Sequence, residues 1–384
     1  MIPYGKHCID NDDIHAVLEV LRSDWLTTGP KIEEFEVAFA QKVGARYAVA
    51  VSNGTAALHC AMFALGIVTG DEVIVPPMTF AATANCILYQ GGVPVFSDVK
   101  PDTLLIDPDQ AKTKITPKTR AIIGVDYAGH PCDWDALRDI ADSHDLWLVA
   151  DGCHALGAEY KGRKVGGLAD LTVFSFHPVK HITTGEGGMI TTNNEDFARR
   201  MRIFRNHGIT TDHREREAQG SWIYEMVDLG YNYRITDFQC ALGMSQLKKL
   251  PAWVERRQNI ASQYDAAFTE IEVITPLTVK KNVRHAYHLY VVRVGINEGG
   301  RTRPAIYKAL HEYGIGVNVH YIPVHLHPFY RTKFRMGPGL CPIAEAAYEQ
   351  ILSLPMYPAM SDAEVSQVIE IIVKVATPPA EDAP

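Results

Sequence analysis

At 384 residues the chain is longer than one hydrophobic core usually fills, which predicts a large domain and a smaller one. Its 47% hydrophobic and 21% charged residues are those of a soluble globular protein of enzyme size, and a formal charge of -8 leaves no basic footprint for nucleic acid. A small-molecule partner is the expectation that remains. No apolar run approaches the roughly 20 residues that span a bilayer, which speaks against a membrane. The start, Met1 to Lys6, lacks a basic region followed by a hydrophobic one, so a cytoplasmic location is expected. The seven cysteines are odd in number and without Cys-x-x-Cys spacing; they read as small buried residues rather than a disulfide framework or a zinc site.

Ile14, Val17, Leu18 and Leu21 recur at helical spacing behind Asn11, Asp12 and Asp13, which predicts a helix over 10–23. Trp25 through Pro30 ends it in a turn. The strand beginning at Tyr47 runs through Ser52, Asn53, Gly54 and Thr55 into a helix. That arrangement aims the free N–H groups of Gly54, Thr55 and Ala56 at one point, where an anion is favoured, although an ordinary capped helix reads the same. A strand from residue 71 ends at Pro76 and Pro77, with Phe80 just beyond. A helix over 81–89, strands over 93–99 and 119–127 and a helix over 133–144 follow. The next strand is almost wholly apolar yet ends in Asp151, and a carboxylate there is costly unless it meets a cation. Two short strands then flank a loop with a single lysine, Lys180; a desolvated lysine has a lowered pKa and can attack a carbonyl.

The alternation from about residue 45 to 205 predicts a mostly parallel sheet, with the marked residues at strand carboxyl ends, where such sheets bind ligands. A helix over 194–205 closes this part, and 206–220 reads as a flexible polar loop. After a helix over 239–264, a smaller α+β domain is expected with strands over 285–294 and 316–322 and helices near 303–313, 341–352 and 362–375. The domain limits are placed at 1–249 and 250–376, with 377–384 a tail disordered by composition. His320, His325 and His327 have no carboxylate or thiol between them, so no metal is expected.

The pattern Ser175-Phe176-x-x-x-Lys180-x-x-x-x-Gly185-Glu186-Gly187-Gly188 resembles the Schiff-base segment of the sugar-nucleotide aminotransferases, a branch of the fold-type I pyridoxal-phosphate (PLP) enzymes. Further matches from Tyr4 to about Pro358 extend the resemblance over nearly the whole chain. It implies an α/β fold, with a mostly parallel sheet flanked by helices and a smaller C-terminal α+β domain. It also implies PLP as cofactor, PMP being its amino form. Lys180 would carry the Schiff base, and Asp151 would keep the pyridine nitrogen protonated so that the ring acts as an electron sink. Phe80 would stack on the ring, Gly54, Thr55 and Ala56 would hold the phosphate, and Ser175 would be a further cofactor contact. His154, where many relatives have glutamine, would lie near the cofactor's phenolic oxygen as a catalytic and cofactor-binding residue. Asn232 would reach the cofactor phosphate of a neighbouring subunit, giving a homodimer with shared sites. Tyr4, Leu26, Thr27, Thr28, Gly29, Arg234, His320 and Tyr321 would touch the sugar nucleotide.

The form of the segment from Asp151 to Gly157, the start at Met1 to Tyr4 and the Leu26 to Gly29 loop look most like one branch of that family. It aminates C4 of UDP-4-keto-6-deoxy-N-acetyl-altrosamine on the way to pseudaminic acid, and glutamate is the family's common amino donor. Other readings stay open at this point. Residues 26–29 are also plain turn chemistry, His154 is also a satisfied core histidine, and the Asn232 segment is also a capped helix start at Thr236 and Asp237. Another UDP- or dTDP-linked keto sugar would leave the same motifs. A PLP- or PMP-dependent sugar dehydratase would have histidine where Lys180 stands, and His181 lies beside it. A non-catalytic PLP-binding regulator is the third class.

Overall fold

The computed structural model describes residues 1–211, 213–218, 220–295 and 302–376, so the tail expected at 377–384 lies outside the described residues. The chain opens with α1 (Asn11–Leu21), started by reciprocal hydrogen bonds between Asp10 and Asp13, and α2 (Pro30–Val43), which has proline at its first turn and ends at a left-handed Gly44. Sequence periodicity had not singled out α2. The α/β part then runs β1 (Tyr47–Val51), α3 (Gly54–Leu65), β2 (Glu72–Val75), α4 (Ala81–Tyr89), β3 (Val93–Phe96), α5 (Pro108–Thr113), β4 (Thr119–Val125), α6 (Trp134–His144) and β5 (Trp147–Asp151). A small hairpin, β6 (Glu159–Tyr160) and β7 (Arg163–Lys164), precedes β8 (Leu171–Ser175), β9 (Gly188–Thr192) and α7 (Glu195–Phe204).

The seven strands lie in the order β1-β9-β8-β5-β4-β2-β3. Pairing from β8 through β5, β4 and β2 to β3 is parallel, and only β9 runs against its neighbours β1 and β8. In register, Gly188 faces both Val51 and Ser175, so the ends of three strands converge on the turn into α3. The core of this part is continuous, from Phe35 and Phe39 on α2 through the buried strand residues to Met201 and Phe204 on α7.

Beyond α8 (His213–Ala218) comes α9 (Asp237–Phe268), a single helix that crosses the expected domain limit at 249. The rest comprises β10 (Ile274–Pro276), β11 (Val283–Arg284), β12 (Tyr290–Val294), α10 (Arg303–Glu312), α11 (Pro328–Phe334), α12 (Pro342–Tyr348), β13 (Ile351–Leu354) and α13 (Asp362–Ala376). A second core joins Ile260, Tyr264 and Phe268 of α9 to β12, β13, α10 and α13, whereas Val324, Tyr330 and Cys341 pack into the first core.

Four expectations change. The helix expected over 341–352 stops at Tyr348, and Ile351–Leu354 is a strand paired with β12; a short buried apolar run does not distinguish the two by periodicity. No strand covers 316–322, because after the single bridge Asn318–Ser353 the backbone turns away and the Tyr321 N–H points to Met78 Sδ at 3.4 Å. The segment 206–220 contains α8 and bridges Asn206 to Asn232 and Ile209 to Met226, so it is not simply a loop. Five cysteines are buried, but Cys8 and Cys153 are partly exposed, and all seven are free thiols.

The apolar stripe of α1 also turns the other way. Asp13 is fully buried, salt-bridged to Lys249 at 2.8 Å and accepting from Gln246 Nε2 at 2.6 Å, so α1 docks on α9 through a polar contact. Ile14, Leu18 and Leu21 are left facing outward.

Candidate active site

The hairpin β8–β9 carries Lys180 and depends on its glycines. A Cβ on Gly188 would run into the carbonyl oxygen of Asn53 and lie 3.0 Å from the Gly54 nitrogen; one on Gly187 would strike Thr184 and Phe176. Their absence lets the hairpin sit against the start of α3. Gly54 has the same reason, since a Cβ there would come within 3.0 Å of the Ser175 side chain. The Asn53 side chain caps α3 by accepting from the Ala56 N–H at 2.8 Å. Ala56 is therefore spoken for, a correction to the expected trio, and the N–H groups of Gly54 and Thr55 remain at the open end of the helix beside Ser175.

Lys180 is partly buried, and its Nζ lies 3.5 Å from Nε2 of His288. Burial lowers its pKa, with Cys153 and Asp151 working the other way. Asp151, at the end of β5, is 6% exposed. Its Oδ2 accepts from Thr83 Oγ1 at 2.7 Å, which in turn meets Thr79 Oγ1 at 2.7 Å, and its Oδ1 accepts from the Cys153 N–H at 3.2 Å. Phe80 stands at the start of α4 and is 61% exposed.

His154 is fixed at both nitrogens. Nδ1 accepts the Ala128 N–H at 3.3 Å, so the proton sits on Nε2, which is 3.0 Å from the Tyr321 hydroxyl and donates to it. Burial, Lys180 and His320 hold its pKa well below the usual histidine value, so the ring is neutral. The phenol of Tyr321 then has its own hydrogen free to donate elsewhere. His320 contacts Ser353 Oγ at 2.9 Å, and the Tyr4 ring lies 5.4 Å from its own. His181 is turned away from the amine: its Nε2 donates to the Ala286 carbonyl at 3.0 Å.

The structure thus brings Lys180, Asp151, His154, His320, Tyr321, Phe80 and Tyr4 into one region. A second group is tied to the start of α9. The Leu26 carbonyl accepts the Asp237 N–H, Thr27 bridges Thr236, Thr28 is left-handed at φ 54°, and the Gly29 N–H donates to Asp237 Oδ2 at 2.9 Å. Any side chain at Gly29 would meet Asp237 and Trp25 at 2.5 Å. Arg234 donates to Asn206 Oδ1 at 2.8 Å, and Asn232 is exposed on the surface of the single chain. His325 pairs with Glu345 at 2.8 Å.

Three contributors were not anticipated. Thr83 lies three residues after Phe80 on the first turn of α4, a spacing that puts both on one face and was readable. His288 and Arg257 gave no local signal. Arg257, 1% exposed, donates to the carbonyls of Tyr287, His288 and Met356 at 3.1, 3.3 and 2.8 Å and so ties α9 to the loop that carries His288.

These residues fit PLP. A buried carboxylate suits a protonated ring nitrogen, free N–H groups at a helix start suit a phosphate, an open aromatic face suits a flat ring and a desolvated amine suits an aldehyde. Solved structures share the architecture over almost their whole length. The putative sugar aminotransferase Spr1654 from Streptococcus pneumoniae, in its PMP form, superposes with a TM-score of 0.92 at 35% identity, covering 98% of this chain and 99% of that one. PseC from Helicobacter pylori, an aminotransferase involved in the biosynthesis of pseudoaminic acid, gives 0.91 at 33% identity over 98% and 99%. The class is the fold-type I, PLP-dependent aminotransferases.

Among curated relatives, the spore coat polysaccharide biosynthesis protein SpsC of Bacillus subtilis is 44% identical over 97% of this chain and 96% of its own. The chain belongs to the DegT/DnrJ/EryC1/StrS aminotransferase family, whose model matches residues 7–373.

Proposed function

We propose that this enzyme moves the amino group of an amino acid, L-glutamate by preference, to the C4 ketone of a UDP-linked 4-keto-6-deoxy-N-acetylhexosamine. The specific acceptor in this reading is UDP-4-keto-6-deoxy-N-acetyl-altrosamine, on the route to pseudaminic acid. The observation that carries it is the meeting of Lys180, Asp151 and the open start of α3 within a fold shared with PseC. Bound PLP supplies the electron sink and carries the amino group as PMP.

The chain's own residues do the rest. Lys180 would anchor the cofactor through its amine and, when free, would take and return the proton exchanged during transfer to the sugar's C4, as base and then acid. Asp151 holds the positive charge on the ring nitrogen, steadied by Thr83 and the Cys153 N–H. Gly54, Thr55 and Ser175 hold the phosphate, and Phe80 covers one face of the ring. Tyr4, Leu26 to Gly29, Arg234, His320 and Tyr321 grip the nucleotide sugar, whose remote binding energy positions the ketone. Asn232 completes the site of a second copy, in a cytoplasmic homodimer. The exposed run Trp222, Ile223, Met226, Val227 and Leu229, with the outward stripe of α1, supports a second copy as the cover. Among the described residues, no helix is long and apolar enough to cross a membrane.

A second reading, amination of a different nucleotide-linked keto sugar, is favoured by the 44% identity to SpsC. The test offers the purified protein PLP, glutamate and both C5 epimers of the UDP-4-keto sugar, with dTDP sugars in parallel, and weighs the products by mass. Preference for the altrosamine epimer supports the first reading. Preference for the gluco epimer, or activity with dTDP sugars alone, replaces it with the second. Borohydride reduction of the PLP-loaded protein should fix the label on Lys180, and a label on another lysine would unseat the catalytic assignment.

A further inference from the structure

His288 lies outside every sequence motif, yet it is 4% exposed and its Nε2 is 3.5 Å from the amine of Lys180. That distance is at the outer edge of hydrogen-bond reach, where catalytic contacts often stand before a substrate tightens them. The other nitrogen, Nδ1, is buried without a partner, unlike most buried polar atoms.

The ring is also clamped. It packs between His154 and His181, with ring centroids 4.3 and 5.7 Å away. The carbonyl of His288 is held by Arg257, and the next N–H, of Leu289, bonds to the Ala128 carbonyl at 3.1 Å. A buried guanidinium spent on carbonyls alone is a costly way to fix a loop, and the loop it fixes delivers one imidazole to one amine. Burial and the nearby Lys180 and Arg257 charges keep that imidazole neutral, and in the tautomer with its proton on Nδ1 the ring offers Nε2 to Lys180 as an acceptor.

We propose that His288 is a positioning residue for the reaction, the hydrogen-bond acceptor that aims the amine of Lys180. This rests on the reading of Lys180 given above. When Lys180 is a free amine, one N–H donates to His288 Nε2, which turns the lone pair away from the imidazole and toward the substrate carbon. When Lys180 takes the proton from that carbon, the C–H bond breaks, the N–H bond forms and the resulting ammonium still donates to His288. The proton returns from Lys180 to the acceptor carbon, and His288 neither gains nor loses one.

The experiment uses the full-length protein in its PMP form, in which Lys180 carries no cofactor. Acetylation of Lys180 is followed against pH by peptide mass, in wild type, His288→Leu and His288→Gln, and the single-turnover rate with keto sugar is measured beside it. His288→Phe serves as a second non-acceptor should the space left by leucine unfold the chain. Loss of an acceptor should lower the apparent pKa of Lys180 by about one unit and slow the turnover at least about tenfold. Glutamine, whose amide oxygen accepts from a similar reach, should restore both. Unchanged labelling and rate in the non-acceptor variants overturn the proposal, and so does an equal loss in His288→Gln, which would reduce His288 to packing. The labelling profile reads the Lys180–His288 contact even if borohydride marks another lysine, so the two assignments fail separately.

Discussion

Asp151 and His154 sit three residues apart and solve opposite problems. Asp151 is a buried carboxylate that accepts hydrogen bonds from Thr83 and the Cys153 N–H, at a strand end where a cation would satisfy it. Asp151→Asn keeps the shape and removes the charge, so the loss should fall on kcat, by at least about 100-fold, with KM nearly unchanged. Steady-state kinetics with both substrates decides it, and a wild-type kcat would remove the electron-sink role. His154 is neutral, accepting from Ala128 and donating to Tyr321. Glutamine can also accept at one end and donate at the other, so His154→Gln should stay within about tenfold of wild type, whereas His154→Leu should fall with Tyr321→Phe and add little to it in the double variant. If His154→Gln is as poor as His154→Leu, the ring acts through its own chemistry and not through Tyr321. Asp151 and Lys180 were legible in the sequence because each breaks a local rule, a charge ending an apolar strand and an amine in a glycine-rich turn. His288 and Arg257 break none, since their meaning arises only when α9 and the loop before β12 are folded together.

At the scale of elements, a mostly parallel sheet followed from alternating apolar runs and turn residues, though not its strand order, and α4, α6 and α7 fell within a residue of expectation. The misjudged pieces share a cause. The strand at Ile351–Leu354 is decided by its pairing with β12, and the path through 316–322 by its single bridge to that strand at Ser353, long-range contacts that no local window contains. The outward stripe of α1 is similar, because a buried Asp13 set its rotation and not its leucines. The hairpin offers the sharpest test at this scale. Gly188→Ala adds one methyl group against the Asn53 carbonyl and should cost about 1–3 kcal/mol in a urea melt. It should also weaken PLP binding, read by absorbance titration, because the hairpin and the turn into α3, proposed above to hold the phosphate, are forced apart. An unchanged cofactor affinity in a folded Gly188→Ala protein would separate the two elements.

For the molecule as a whole, acid is the vulnerable direction. His59 and His320 are held at about 4 and His181 at about 3, and His154, His285 and His288 lie well below the usual value, burial being the first cause in each. A folded state that keeps these rings neutral has their full contribution above about pH 6.5, and loses it as the unfolded chain takes up protons below that, by up to about 1.4 kcal/mol per group and pH unit. Asp126, raised to about 8 by burial, works in the opposite sense but is one group against six. The urea midpoint should therefore drop steeply between pH 6.5 and 5, and a flat profile would contradict the buried neutral histidines. Mixed Lys180→Ala and Asn232→Ala proteins, each inactive alone, should recover roughly a quarter of wild-type activity once subunits exchange, because one site of each mixed dimer is complete. No recovery after proven exchange would mean that the sites are not shared. One further consequence lies in α9. Asp237 holds Gly29 and Lys31, Gln239 holds Glu186, Gln246 holds Thr183 and Asp13, and Arg257 holds His288, all from one rod about 30 Å long between the first and last of these. It works as a camshaft, each lobe set at a fixed angle to the others. One residue added between Gln246 and Arg257 would turn the last lobe by about 100° while leaving the first three in place, so the molecule could keep its cores and lose its timing in space.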